Sequence, residues 1–177
     1  CDIHRSLGNF TEVVKILRHQ SQATEDADAK GKMFAEIADI FENEMDNQEH
    51  AAVAYHQAYL YDPNNTEAMQ NALRLYAERE EWQRVIAVNR ARLEGAEEDN
   101  EKADLLYEIG RVTLNHLPEG QTPEGQTQVV NLYKEALALA PEHSGAKEGL
   151  EDLAFDLEDW TTLLKRLKKE IRQASGD

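Results

Sequence analysis

The sequence predicts an all-α protein built as an α-solenoid of antiparallel helix pairs. Three observations support this prediction. Apolar residues recur with helical spacing, related segments recur along the chain, and the β-branched runs are short and lack the period of two that marks a strand. Because one amphipathic helix pair cannot cover its own apolar stripe, each pair is expected to stack on a neighbour of the same kind.

The clearest helix pair lies within residues 34–63. Four apolar residues of its first helix recur at i, i+3, i+4 and i+7, namely Phe34, Ile37, Ala38 and Phe41. Turn residues then interrupt the pattern at Asp46 and Asn47. The second helix carries a stripe of Ala51, Tyr55 and Ala58, and it ends at Asp62 and Pro63.

Internal repeats place the other helices. The segment 35–41 matches 107–113 at a shift of 72 residues, whereas 54–63 matches 132–141 at a shift of 78. The six additional residues fall in 117–125, which contains two prolines and two glycines. We predict an exposed, mobile excursion there, either a recognition loop or a tolerated insertion.

The predicted helices follow from these registers and from the turn residues. N-terminal caps are expected at Asn65 or Thr66, at Ser144, and at Asp26 or Asp28. Phe10, Trp82 and Trp160 are each expected to begin the second helix of a repeat and to pack under the preceding turn. The predicted helices are 2–7, 10–22, 28–45, 49–61, 66–78, 82–94, 101–116, 126–140, 144–157 and 160–173.

The whole chain, 1–177, is predicted to be one repeat domain. It contains a partial repeat, 1–27, and four repeats at about 28–65, 66–100, 101–143 and 144–173. Since the chain opens inside a repeat, we expect it to be part of a longer protein. Cys1 could alternatively be the lipidation site of a bacterial lipoprotein, although it falls inside the repeat pattern.

The composition limits the partners. The net charge of -16 would repel phosphate backbones, so nucleic acid is not expected as a partner. No apolar run is long enough for a membrane span, so no membrane insertion is expected. The acidic surface could attract basic peptides or divalent cations, or it could only keep the protein soluble.

The pattern of the clearest pair resembles the tetratricopeptide repeat (TPR) family. That family places an aromatic, an aliphatic, a small and an aromatic residue on its first helix, as at Phe34, Ile37, Ala38 and Phe41. The later copy departs from it at Thr113 and Val129. The repeats 66–100 and 144–173 match poorly, with Leu73, Asn89 and Arg92 at positions where the family has other residue types. The resemblance implies a right-handed superhelix that binds a peptide or a protein segment in a concave groove formed by its first helices.

The sequence contains no catalytic or metal motif, so we expect no enzyme activity, no cofactor and no metal site. The densest acidic run, from Glu94 to Glu101, lacks the order of oxygens that a calcium loop needs. Loose cation binding and a solvated linker remain the alternatives there. For the function, a binding scaffold is favoured, and an architectural spacer within a larger protein is the alternative.

The predicted groove contains two rows of residues on the first helices. One row is Ala35, Gln70, Tyr107 and Glu148, and the next is Asp39, Arg74, Arg111 and Asp152. We predict that Gln70, Arg74, Tyr107 and Arg111 form the peptide-binding site. The two arginines, expected about 10 Å apart, would bind an acidic or C-terminal carboxylate group. The alternative is that Asp39 and Asp152 neutralise the arginines within the groove.

Overall fold

A computed structural model describes residues 8–153, and these residues are helical with no strand among them. The all-α prediction is confirmed for this part of the chain. The residues divide into two compact units, with the boundary between Gly95 and Ala96. The predicted helix 2–7, the predicted helices beyond residue 153 and Trp160 lie outside the described residues.

The first unit contains five helices, and each packs against the next one in the chain. The second helix continues into a π-helical turn, Ile40–Glu44, without a break. Phe10 and Trp82 begin helices, as predicted. The helices are α1 Phe10–Ala23, α2 Ala27–Asp39, α3 Gln48–Tyr61, α4 Thr66–Glu78 and α5 Trp82–Gly95.

The second unit contains two long helices, a short 3₁₀ turn and a further helix over residues 144–153. The long helices pack against each other, and the 3₁₀ turn contacts both. The elements are α6 Asp99–His116, the 3₁₀ turn Pro118–Gln121 and α7 Pro123–Leu139.

Side-chain caps fix most helix starts. Asn65 accepts a hydrogen bond from the amide of Ala68 at 2.9 Å, and Asp26 accepts two from the first turn of α2, as predicted. The predicted cap at Ser144 is wrong. The imidazole of His143 takes that role, because its Nδ1 accepts the amide of Ala146 at 3.0 Å.

The small residues of the predicted packing stripes are buried. Ala38, Ala58 and Ala136 are fully buried, and Gly110 is buried against a ring of α7. The close helix contacts that these positions predicted are therefore present. At Gly31, a Cβ atom would lie 2.8 Å from Cβ of Asp62, so α2 and the end of α3 also approach closely.

The turn between α2 and α3 begins with a π-helical turn. There the amide of Met45 bonds to the carbonyl of Ile40 in the i+5 pattern of a π-helix. Asp46 then adopts a positive φ of 48°, and the amide of Asn47 returns to the carbonyl of Phe41 at 2.7 Å.

The excursion predicted at 117–125 is more closely packed than its composition suggests. Gly120 and Gly125 are buried, and a Cβ atom at either position would collide with backbone atoms, at Thr113 and Glu119 respectively. The side-chain amide of Gln121 donates to the carbonyl of Leu114 at 2.8 Å. These contacts hold the segment against the last turns of α6, although its polar side chains remain exposed.

Candidate functional site

The four predicted binding residues fall into both units. Gln70 and Arg74 lie one turn apart on α4 in the first unit, and Tyr107 and Arg111 lie one turn apart on α6 in the second. The structure therefore brings the residues together in two pairs. The proposed spacing of 10 Å between the arginines stays a prediction.

Arg74 is engaged by carboxylates of its own unit. It contacts Glu42 of the π-helical turn at 2.5 Å and Glu78 at 3.3 Å. The hydrogen bond to Glu42 is the main cause that raises the pKa of Arg74 above its ordinary value. The partner suggested by the sequence, Asp39, instead accepts a hydrogen bond from Asn43 at 2.7 Å.

Arg111 and Tyr107 are also in contact with neighbours. Arg111 makes a two-pronged contact with Glu108, at 2.6 and 2.9 Å, and this contact raises the pKa of Arg111. The ring of Tyr107 lies 5.4 Å from that of Tyr133 and 5.1 Å from that of His143. Within the described residues, the partner suggested by the sequence, Asp152, is replaced by Glu108.

A groove of about 620 Å³ opens elsewhere in the first unit. Its sides come from α1 and α3, which the sequence predicts to be the second helices of successive repeats, and α2 contributes residues between them. None of the four residues predicted to bind a peptide borders it. We call it the α1–α3 groove. Its main apolar side chains are Phe34, Ile37, Val53, Ala54 and Tyr61.

A cation lies at each end of the α1–α3 groove. At one end, Nζ of Lys30 lies 5.4 Å from the ring centroid of Tyr61, and that ring stacks on Phe34 at 5.5 Å. At the other end, the guanidinium of Arg18 lies 5.8 Å from the ring of Phe41, which in turn packs against His50 at 5.1 Å.

These two cations differ from the two lysines that share their helices, Lys15 and Lys32. Among the described residues, neither Arg18 nor Lys30 has a carboxylate within ion-pair distance. Lys15 and Lys32, on the same two helices, are paired with acidic residues one turn away. One acidic residue, Glu49, also borders the groove, and it contacts Arg79 at 3.6 Å.

The exposed face of α3 continues the apolar surface of the groove. Val53 and Leu60 are the two large hydrophobic side chains that are exposed in the described part of the chain, at 38% and 48%. Their separation of seven residues places them on one face of the helix. This pair was a signal in the sequence, because both residues fall outside the packing stripe of Ala51, Tyr55 and Ala58.

The second unit contains a cavity of about 550 Å³ between the start of α6 and the end of α7. His143 borders it and bonds through Nε2 to Asp104 at 3.1 Å, while its Nδ1 caps the next helix. This pair of contacts fixes the neutral Nε2–H tautomer. Both nitrogens of the ring are therefore used for structure.

Two negative findings concern the described residues only. Over residues 8–153, no three His, Cys, Asp or Glu side chains are grouped so that they could hold a metal ion. In the same range, no helix has both the length and the hydrophobicity needed to cross a membrane. Compared with known proteins, the sequence matches no family model and no curated protein.

Proposed function

We propose that this chain is a TPR-like helical repeat protein that binds a segment of a partner protein and has no catalytic role. The recurrence of segments at shifts of 72 and 78 residues supports a repeat architecture. The packing of each helix of the first unit on the next supports it as well. The proposed right-handed solenoid follows from the resemblance to the family.

The α1–α3 groove is the observation that supports binding. Its volume of about 620 Å³ is within the range of protein pockets that hold ligands, roughly 300–1,000 Å³. Its apolar side chains include the exposed Val53 and the half-buried Phe34 and Tyr61. Aromatic and aliphatic side chains with cations at the margin are typical of surfaces that bind protein segments.

An architectural role is the second candidate, and the arginines on the first helices favour it. Arg74 and Arg111 are satisfied by glutamates of their own units, so neither needs a ligand to balance its charge. Such pairs are consistent with a face that serves packing and solubility.

Selection from a displayed random peptide library tests the two candidates. The variant Val53→Trp places a large ring over the groove at an exposed position, and Ala87→Trp places the same ring at an exposed position on α5. We expect the parent and Ala87→Trp to enrich the same peptides, and Val53→Trp to lose them. If the parent enriches no peptide, the architectural role is favoured. Equal enrichment by all three proteins would exclude the groove as the site.

A further inference from the structure

We propose that the α1–α3 groove binds an extended acidic segment in which two carboxylates flank a large apolar residue. This inference rests on the proposed function and specifies its ligand. The carboxylates would contact Arg18 and Lys30, and the apolar residue would pack on Phe34, Val53 and Tyr61. The site differs from the two arginines predicted to bind a carboxylate, Arg74 and Arg111, which are already paired with glutamates.

Local charge favours an acidic ligand in spite of the overall charge. The chain carries -16, but at physiological salt the field of a surface charge decays over about 8 Å. The charges that border the groove therefore determine which charge the bound segment should carry. Arg18 and Lys30 have no ion pair among the described residues, and the one acidic residue on the border, Glu49, is partly neutralised by Arg79.

The positions of the cations set the spacing of the ligand's carboxylates. Arg18 lies at the end of the groove near His50, and Lys30 lies at the end near Tyr61. Eleven residues of α3 separate these ends, which corresponds to about 16 Å along the helix axis. An extended chain covers that distance in about five residues. The two carboxylates are therefore expected about five positions apart.

The aromatic groups explain why an apolar residue is required between the carboxylates. Arg18 and Lys30 each lie over a ring, at 5.8 and 5.4 Å. Each cation therefore has one face against an aromatic surface and can donate hydrogen bonds from its remaining N–H groups. Between the two cations, the exposed Val53 provides an apolar surface that water now covers.

Fluorescence anisotropy with a defined peptide set tests the proposal. The set has the form Asp-x-Φ-Φ-x-Asp, where Φ is Leu, Ile, Phe or Tyr and x is Ala or Ser, with matched peptides carrying Asn or Lys in place of Asp. We expect acidic members to bind at least about tenfold more tightly than their Asn counterparts, and the Lys counterparts to bind most weakly. Affinity should fall as salt is raised from about 0.05 to 0.5 M.

Charge-reversal variants of the protein identify the site. The double variant Arg18→Glu/Lys30→Glu should bind the acidic peptides at least about tenfold more weakly than the parent does. It should bind the Lys peptides instead. The control is Lys15→Glu combined with Lys32→Glu, which makes the same change in net charge on the same helices at exposed positions. The control should bind acidic peptides within about threefold of the parent. Circular dichroism verifies that each variant keeps its helical content.

The outcomes separate this inference from the function on which it rests. If the random library yields binders but the acidic set does not bind, or binds equally well to both double variants, the inference is overturned and the function stands. An affinity that rises with salt would also overturn it, because repulsion between the acidic peptide and the net negative charge of the chain would then exceed the attraction by Arg18 and Lys30. If neither peptide collection binds, or if the groove is occupied by a second copy in a stable dimer, both proposals fail.

Discussion

The two units surround equivalent tyrosines in different ways. In the second unit, Tyr133 lies between two glycines: a Cβ atom at either Gly110 or Gly149 would approach its ring to 2.5 Å. In the first unit the residues at the positions equivalent to Tyr133, Gly110 and Gly149 are Tyr55, Ala38 and Asn71. At these two positions the second unit thus has less side-chain volume, and Tyr133 is less exposed than Tyr55, at 2% against 7%.

A second ring accompanies this difference. Tyr107 packs on Tyr133 at 5.4 Å and approaches Gly145, whereas the equivalent residue of the first unit is Ala35. Around these two tyrosines, smaller residues at two positions accompany a larger residue at a third, so the residue types differ although the combined volume is similar. Glycine within a helix lowers the stability of that helix, but here it allows the tyrosine ring to pack closely, and the burial of the ring offsets this cost.

The units also differ in the polar groups that they bury. In the first unit, Asn89 is 2% exposed and accepts a hydrogen bond from Arg92 at 3.2 Å. The guanidinium of Arg92 thus provides a hydrogen-bond donor for the side-chain oxygen of this buried amide. The same unit buries the hydroxyl of Tyr76, for which no hydrogen-bond partner is found among the described residues.

The largest expected effect comes from removing the ring that the glycines enclose. Tyr133→Ala should lower the free energy of unfolding by about 3–5 kcal/mol, because neither Gly110 nor Gly149 can fill the cavity. Tyr55→Ala should cost less, since its ring is more exposed, at 7% against 2%. Denaturation in urea, followed for both units, measures the two values. A larger loss at Tyr55 would contradict the comparison.

The next effect comes from adding one methyl group. Gly149→Ala or Gly110→Ala should destabilise by about 1–2 kcal/mol, because overpacking against the buried ring exceeds the gain in helix propensity. Gly145→Ala is the control. Its Cβ would lie 2.7 Å from the half-buried ring of Tyr107, which can shift, so the change in stability should be smaller. Thermal unfolding measures the loss of stability in the three variants. A larger loss at Gly110 and Gly149 than at Gly145 would show that the ring of Tyr133 cannot shift whereas that of Tyr107 can.

A smaller effect, of opposite sign, is expected in the first unit. Tyr76→Phe should stabilise the protein by about 1 kcal/mol, because it removes a buried hydroxyl that lacks a partner. The matched variant is Tyr55→Phe, whose hydroxyl lies beside the Glu42 carboxylate, and it should be neutral or destabilising. Equal changes in the unfolding midpoint for the two variants would show that the hydroxyl of Tyr76 is satisfied.

The smallest expected effect is a change in how the free energy of unfolding depends on pH. Burial, and then the charge of Arg84, lowers the pKa of His56 below its ordinary 6.5. The unfolded chain therefore takes up the proton first, and the folded state loses stability as the pH falls below about 6.5. His56→Gln should remove this part of the pH dependence, whereas His19→Gln, at an exposed position, should keep it. Unfolding at pH 7.5 and 5.5 measures the difference.

Most helix positions could be predicted from the sequence, because caps, turn residues and apolar periodicity act locally. The start of α4 after Asn65 and the end of α3 before Pro63 are examples. The start of α7 was predicted three residues too late, since the glycines of 117–125 suggested a loop and their close packing depends on tertiary contacts. The cap at His143 was missed because Ser144 is the commoner capping residue.

The candidate site was harder to predict than the fold. Arg74 had several carboxylates within reach, and its choice of Glu42 depends on the π-helical turn, for which the sequence has no clear signal. The α1–α3 groove depends on the gap between two helices whose first residues, Phe10 and Gln48, are 38 positions apart in the chain. Periodicity shows which residues pack, but not where two packed helices leave space.

The turn between the helices of a pair also explains how repeats of unequal length coexist. The later pair has six more residues than the earlier one, and they are taken up by the 3₁₀ turn Pro118–Gln121 and the start of α7. The buried small residues on either side, Gly110 and Ala136, keep the positions of Ala38 and Ala58. Insertions and deletions can therefore accumulate at this end of each pair during evolution without repacking the core. The same end offers a position for grafting a peptide epitope into the chain.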